Sequence, residues 1–169
     1  MPIKLYLYTT IASFVKAEDG IVGYMLETVY KGEVLTLYDF KKVNANKEIA
    51  ELIALVLGLL QLNIPCDIEL YASTEMAYSR LNTGMLSKWN KQNWLNSAGM
   101  QIRHSVIWKC LLDTYEKKVI TMEFAKTDRH TYTRWMSEYS EKHREEIEDI
   151  EMSKLEDIAG FKEGELESV

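Results

Sequence analysis

The stretch NANKEIAELIALVLGLLQL, residues 44–62, decides the fold. Its apolar residues recur at helical spacing over an arc too wide for one face, which predicts a helix buried on most sides. Glu51 stands near the start of this helix among apolar neighbours. The helix dipole favours an acidic side chain there, but an unpaired buried carboxylate is costly. Glu51 therefore either lies on the solvent edge of the first turn or reaches into a site.

Strand patterns surround this helix on both sides in the sequence. The short connection at residues 30–32 predicts an antiparallel hairpin, and the helix has the length that a parallel crossover needs. The predicted strands are residues 3–10, 21–28, 33–40, 67–73 and 118–125. The other predicted helices are residues 74–82 with Ser73 or Thr74 as N-cap, residues 105–115, and one from about Thr131. This order predicts an α/β fold with a mixed five-stranded sheet flanked by helices.

Length and composition limit the class of protein. A chain of 169 residues that is 47% hydrophobic suits one domain with an appendage. It has no apolar run of 18 residues and no signal-peptide pattern, so we expect a cytoplasmic protein without a membrane segment. Cys66 and Cys110 lack metal-site spacing, which predicts reduced packing residues, and the three histidines stand singly.

The net charge of −6 is concentrated at the end of the chain. Residues 141–169 hold 11 acidic and 4 basic residues, whereas residues 1–140 hold 15 acidic and 16 basic ones. We therefore expect a domain at residues 1–142 and an acidic, helical or partly disordered tail at residues 143–169. A nucleic-acid surface on the first part is compatible with its charge.

Several strings, in this order, resemble type 1 ribonuclease H and indicate a ribonuclease H-like fold over roughly residues 4–142. The helix that carries Glu51 resembles the family's helix with its catalytic Glu, and IELYAST resembles the strand that leads into Thr-Asp-Ser. KWNKQNW is similar to the basic, Trp-containing protrusion with which the family grips its hybrid. VIWKCLLDTYEKKVITMEFAK is similar to the family's Leu-Trp helix and the strand after it.

The resemblance implies chemistry in which four carboxylates hold two Mg²⁺ ions and hydrolyse a phosphodiester. Here the resemblance puts Thr10 and Ser73 at two of the carboxylate positions and retains Glu51 and Glu138 at the others. Each lost carboxylate removes an attraction of several kcal/mol at an effective dielectric constant of about 20. We therefore expect no cofactor or weakly bound Mg²⁺ at Glu51 and Glu138. We expect a domain that has lost hydrolytic activity and acts by binding nucleic acid, either an RNA/DNA hybrid or structured RNA, or a protein partner.

The substrate-facing loops differ from the family as well. The Gly-rich loop after the first strand reads IASFVKAEDG, with bulky Phe14 and Val15, and Asp128 stands where the resemblance places the catalytic His. The alternative function is an active or weak metal-dependent ribonuclease H with a rearranged carboxylate set. Asp19, Glu75 and Asp128 are the acids that could rebuild such a site.

Two surfaces are candidates for binding. In the handle, residues 84–100, the lysines can meet phosphate and the indoles can either stack on bases or pack the handle itself. The predicted nucleic-acid contacts are Lys88, Trp89, Lys91, Trp94 and Lys126. The tail begins as a predicted continuation of the last helix, with an apolar stripe. That tail could be solvated, could bind a protein partner or a second copy of the chain, or could lie over a basic surface of its own domain.

Overall fold

The computed structural model describes residues 2–164 as a mixed sheet with helices on both faces. The strands are β1 (Ile3–Thr9), β2 (Ala17–Tyr30), β3 (Glu33–Ala45), β4 (Cys66–Ala72) and β5 (Ile120–Lys126). The helices are α1 (Lys47–Leu59), α2 (Met76–Asn82), α3 (Met85–Lys91), α4 (Ser105–Lys117), α5 (Thr133–Lys142) and α6 (Met152–Ala159). The sheet order is β3-β2-β1-β4-β5, and the predicted mixed five-stranded α/β fold is confirmed.

The strand directions follow from the connections. The Lys31–Gly32 turn joins β2 and β3 as an antiparallel hairpin, with Tyr30 opposite Glu33. The crossover through α1 makes β4 parallel to β1, with Leu5 opposite Leu70. Because β4 is parallel to both β1 and β5, the carboxyl ends of these three strands meet at one edge of the sheet.

The central helix is buried as its wide apolar arc predicts. Leu52, Leu55 and Leu59 of α1 are wholly enclosed and pack in the main core with residues of β1, β2 and α4. The Asn46 side chain begins the helix by accepting a hydrogen bond from the Ile49 N–H at 2.9 Å. At its other end, the Lys118 ammonium donates to the carbonyls of Leu59 and Leu60, and the Leu59 carbonyl also accepts from the Leu62 N–H.

Three local predictions are wrong. Neither Ser73 nor Thr74 caps α2, which begins at Met76 with Glu75 as an N-cap residue that makes no side-chain bond. The last helix of the domain begins at Thr133 and ends at Lys142, and the tail does not continue it. A short 3-10 turn (Arg144–Glu146) follows, and the chain then reverses to form α6.

The described part of the tail packs against the domain. Ile150 N–H donates to the Lys42 carbonyl, and Leu155 and Ala159 of α6 are buried in the main core. The Cys110 thiol is free, as predicted, and donates to the Leu155 carbonyl at 3.0 Å. Most of the predicted apolar stripe is therefore used inside the chain, so it does not offer a continuous face to a partner. The division at residues 142 and 143 remains a prediction, and residues 165–169 lie outside the described part.

None of the helices between residues 2 and 164 is both long and apolar enough to cross a membrane. The second face of the sheet carries a smaller cluster in which Met136 of α5 packs on Tyr6, Ile21 and Phe40. Gly23 of β2 lies under this contact, because a side chain there would meet Phe40 and Met136. Close approach of α5 to the sheet thus depends on that glycine.

Candidate functional site

Glu51 projects from α1 toward the end of β4 and is only 5% exposed. One of its carboxylate oxygens, Oε2, accepts hydrogen bonds from the Ser73 N–H at 3.0 Å and from the Ser73 hydroxyl at 2.9 Å. Its Oε1 accepts from the Thr74 N–H at 2.8 Å. Of the two readings open from the sequence, the buried one is correct. Both oxygens are occupied by the turn that follows β4.

Thr10 lies at the end of β1, and its hydroxyl is used by the neighbouring strand. Its Oγ1 accepts from the Ile21 N–H at 2.9 Å, while its own N–H donates to the Ile21 carbonyl at 3.0 Å. Thr10 therefore extends the pairing of β1 with β2 beyond the last regular residue. The group at this position is a neutral hydroxyl already bound to the backbone, and a carboxylate is absent from it.

Glu138 does not join Glu51 in a described contact. It lies on the exposed side of α5, where its carboxylate pairs with Arg134 at 3.0 Å and is 67% exposed. The four acids at residues 19, 75, 128 and 138 are all exposed. Within residues 2–164, no three side chains of His, Cys, Asp or Glu come together as a group that could hold a metal ion.

His130 lies at this edge of the sheet, although the sequence showed it only as an isolated histidine. Its Nε2 lies 2.8 Å from the Leu7 carbonyl and its Nδ1 accepts from the Tyr132 N–H at 3.1 Å, so the ring is held neutral with its proton on Nε2. Burial lowers the pKa of His130, while the Leu7 hydrogen bond and the charge of Glu51 oppose that shift. No local sequence signal identifies this contact, because the fold creates it by bringing the loop after β5 back to β1.

Trp89 of the handle contacts two other tryptophans edge to face, Trp94 of the handle and Trp108 of α4. The Trp89 ring centroid lies 6.2 Å from that of Trp94 and 6.1 Å from that of Trp108. The Arg80 guanidinium lies over Trp89 at 5.3 Å and over Trp108 at 4.7 Å. Trp94 is 2% exposed and its indole N–H donates to the Asn90 side chain. A buried indole cannot stack on a base, so the predicted contact of Trp94 with nucleic acid does not fit its position.

Basic side chains line two open clefts next to the handle. Lys88 and Arg103 line one cleft of about 880 Å³. Lys126 and Arg80 line another of about 520 Å³, together with Phe14, which is 66% exposed. Met85, at the start of α3, lies in the second cleft, so α3 borders both.

Lys16 extends this region, and Glu48 and Glu75 interrupt it. Lys16 and Arg103 both lie near His104, and burial, together with their charges, lowers the pKa of that histidine. Glu48 and Glu75 line the second cleft. We call the exposed cations around the two clefts the basic surface. Its members are Lys16, Lys88, Lys91, Arg103 and Lys126.

Comparison with known proteins identifies the fold. No family model matches the chain. It is 32% identical over 94 residues to Ribonuclease H of Caldanaerobacter subterraneus subsp. tengcongensis, a match that covers 56% of this chain and 61% of that relative. It superposes on LC9-RNase H1, a type 1 RNase H with the type 2 active-site motif, with a TM-score of 0.60 at 9% identity, covering 82% of this chain and 71% of that one. The chain has a ribonuclease H-like fold, and part of its sequence is similar to that of ribonucleases H.

A second solved structure extends the comparison. The ribonuclease H-like chain superposes on foamy viral protease-reverse transcriptase in complex with an RNA/DNA hybrid, with a TM-score of 0.58 at 16% identity. That match covers 76% of this chain and 18% of the viral one. The alignment with the Caldanaerobacter relative spans less than two thirds of the relative's length. The comparisons therefore show that this domain has the ribonuclease H-like fold.

The residues of this ribonuclease H-like domain do not fit the two Mg²⁺ ions that the fold family implies. Mg²⁺ needs several oxygen ligands near octahedral positions, usually including carboxylates. Here the Glu51 oxygens already accept three hydrogen bonds, the Thr10 oxygen accepts one, and Glu138 pairs with Arg134. The candidate metal ligands at this edge of the sheet are thus the Glu51 carboxylate and the Ser73 and Thr10 hydroxyls, and all of them already make hydrogen bonds within the protein.

Proposed function

We propose that this ribonuclease H-like domain binds an RNA/DNA hybrid through its basic surface and does not hydrolyse it by two-metal chemistry. The observation that carries the proposal is the state of Glu51. Its carboxylate is buried and fully hydrogen-bonded to Ser73 and Thr74, so it joins two elements of the fold. A carboxylate that is committed to backbone N–H groups is a poor ligand for a strongly hydrated cation.

The positions around Glu51 support the loss of hydrolysis. Two-metal catalysis depends on clustered anionic charge that holds the ions and neutralises their repulsion. Thr10 and Ser73 supply neutral hydroxyls, and both hydroxyls are engaged in hydrogen bonds within the protein. Moving Glu51 into a metal site would strand the Ser73 and Thr74 donors, at a cost of about 1–3 kcal/mol for each buried group left unsatisfied.

The basic surface supports nucleic acid as the ligand. Its five cations are exposed, as expected of groups that meet phosphates, and Lys88 and Lys91 lie on α3. The tryptophan and arginine stack beneath α3 holds the handle in shape before any ligand arrives. A preorganised surface loses less conformational entropy on binding. The foamy viral protein with a similar fold is bound to an RNA/DNA hybrid, which makes the hybrid the first ligand to test.

The test is a binding titration with a fluorescently labelled RNA/DNA hybrid, followed by anisotropy at several salt concentrations. The informative variant is the double change Lys88→Gln and Arg103→Gln, because both side chains line the same cleft. The matched control is Lys31→Gln with Lys142→Gln, which removes the same charge from exposed positions on the hairpin turn and on α5. Loss of two phosphate contacts should weaken binding roughly tenfold and reduce the salt slope by about 2.

The two double variants separate a specific surface from general attraction. We expect the control to keep the wild-type affinity within about twofold, since its cations lie away from the clefts. Equal loss in both double variants would show that only net charge matters. Absence of wild-type binding at low salt would overturn the proposal altogether.

A further inference from the structure

The end of the described chain lies at the start of α4, next to the basic surface. The Glu163 carboxylate accepts a hydrogen bond from the Val106 N–H at 2.9 Å. Glu163 and Gly164 line an open cleft of about 510 Å³ together with Arg103. Arg103 also lines the larger cleft that contains Lys88. Arg103 therefore lines both the cleft beside Glu163 and the cleft that contains Lys88.

This contact joins residues 57 positions apart, so it is not a local helix cap. The N-cap residue of α4 is His104, whose side chain makes no capping bond. The first N–H groups of a helix have no partner within it and attract anions, both by hydrogen bonding and through the helix dipole. Glu163 fills that role with a carboxylate from the far end of the chain.

The tail is held in this place by its own packing. Leu155 and Ala159 of α6 are buried against the core, and Phe161 packs on the same cluster. The Gln101 side chain donates to the Lys162 carbonyl at 3.2 Å. Because these contacts hold Glu163 next to α4, the effective concentration of its carboxylate at the start of that helix is high.

The chemistry of the contact resembles that of a phosphate. A carboxylate and a phosphate both accept hydrogen bonds from a helix N-terminus and both pair with arginine. Burial raises the pKa of Glu163, although its bond to Val106 lowers it.

We propose that Glu163 competes with a nucleic-acid phosphate for the start of α4 beside Arg103, so that the acidic end of the chain weakens binding to its own domain. This inference rests on the proposed function and names a regulation of the same surface. The sequence from residue 163 to residue 169 contains three glutamates and no Lys or Arg, which adds to the negative charge at this place in the chain.

The test uses the full-length chain with Glu163→Gln, in the same titration against a labelled RNA/DNA hybrid. The matched control is Glu145→Gln, which removes one negative charge from an exposed position in the 3-10 turn after α5. Removal of a favourable anion from a helix N-terminus should tighten hybrid binding by about three- to tenfold. The control should leave the affinity within about twofold of wild type.

Each outcome has a distinct meaning. Tighter binding by Glu163→Gln alone supports competition, and a shift of the Val106 amide resonance when hybrid is added to the wild-type protein provides a second readout. Equal affinity in wild type and Glu163→Gln overturns the competition while the proposed function stands. Weaker binding in Glu163→Gln overturns it too, since the carboxylate would then assist binding. If no form of the chain binds the hybrid, the proposed function fails and this inference fails with it.

Discussion

The Ser73 hydroxyl donates a 2.9 Å hydrogen bond to the carboxylate of Glu51, which ties the end of β4 to the central helix. The Ser73 and Thr74 N–H groups donate to the same carboxylate. A residue that the family resemblance assigns to metal binding therefore closes the junction between α1 and β4 in this chain. This relationship gives Glu51 a structural role that needs no metal ion.

Replacing Glu51 should cost stability. In Glu51→Gln the amide NH₂ would face donor groups, so at least one bond to Ser73 or Thr74 would be lost. We expect a loss of about 2–3 kcal/mol in the free energy of unfolding, because bonds to a buried charged acceptor are among the stronger ones. Urea denaturation measures this change. Glu138→Gln is the control and should change stability by less than about 0.5 kcal/mol, because its ion pair is exposed. Similar losses in both variants would contradict the structural role of Glu51.

In the handle, Trp94 is a packing residue, whereas Lys88 is a proposed contact with the hybrid. Trp94→Leu should lower the free energy of unfolding by about 2–4 kcal/mol, because it empties a buried space and removes the bond to Asn90. Lys88→Gln changes an exposed side chain and should leave stability within about 0.5 kcal/mol while it weakens hybrid binding. Thermal unfolding and anisotropy on the same samples test both halves. A stable Trp94→Leu protein with weakened binding would instead show that this indole contacts the ligand.

Acid should destabilise the protein through His130. Its folded-state pKa lies below the ordinary value of 6.5, since burial disfavours the charged ring. The resulting stability is fully present above pH 6.5 and is lost as the pH falls through the lowered folded-state pKa. Urea midpoints at pH 8 and pH 5 should therefore show a smaller fall in His130→Gln than in wild type. His104, whose pKa is also lowered, supplies part of the remaining fall. An identical fall in both proteins would show that His130 does not contribute.

The turn between α4 and β5 contains a strained residue. Val119 has a φ of 53° and is 65% exposed, so a β-branched side chain adopts the left-handed conformation with little packing in return. Val119→Gly should raise the free energy of unfolding by about 0.5–1 kcal/mol, since glycine adopts this conformation without a steric penalty. Val15→Gly is the control: Val15 is also exposed, and it is not among the residues with positive φ. A glycine that destabilises at position 119 would show that the side chain packs usefully.

The fold was predictable where the hydrophobic pattern was continuous. The wide apolar arc of α1 and the alternation in β1 specify buried elements, and the order of strands and helices restricts the topology to a mixed sheet. Ser73 and Thr74 were predicted as caps because such residues favour helix starts, but the Ser73 hydroxyl donates to the carboxylate of Glu51 instead, and α2 begins only at Met76. His130 was not predicted as a site residue, since only the folded loop brings it to Leu7.

The tail could not be read from composition. Its pattern predicted a continuation of the last helix, yet α5 ends at Lys142 and the buried side chains of Leu155 and Ala159 hold α6 against α4. An imperfect apolar stripe on an acidic helix has the same pattern whether it binds its own domain or another protein. The burial of Leu155 and Ala159 and the contact of Glu163 with Val106 show that the described part of the tail packs on its own domain.

The most direct test of the account is cleavage of a labelled RNA/DNA hybrid at protein concentrations that saturate binding. The reaction is run with Mg²⁺ and separately with Mn²⁺, with Glu51→Gln as the control and its folded state verified beforehand. We predict that the hybrid is bound and remains uncut, with no cleavage above the control in either metal. Metal-dependent cleavage by the wild-type chain that disappears in Glu51→Gln would contradict the account, because Glu51 would then serve a metal centre rather than the junction with Ser73.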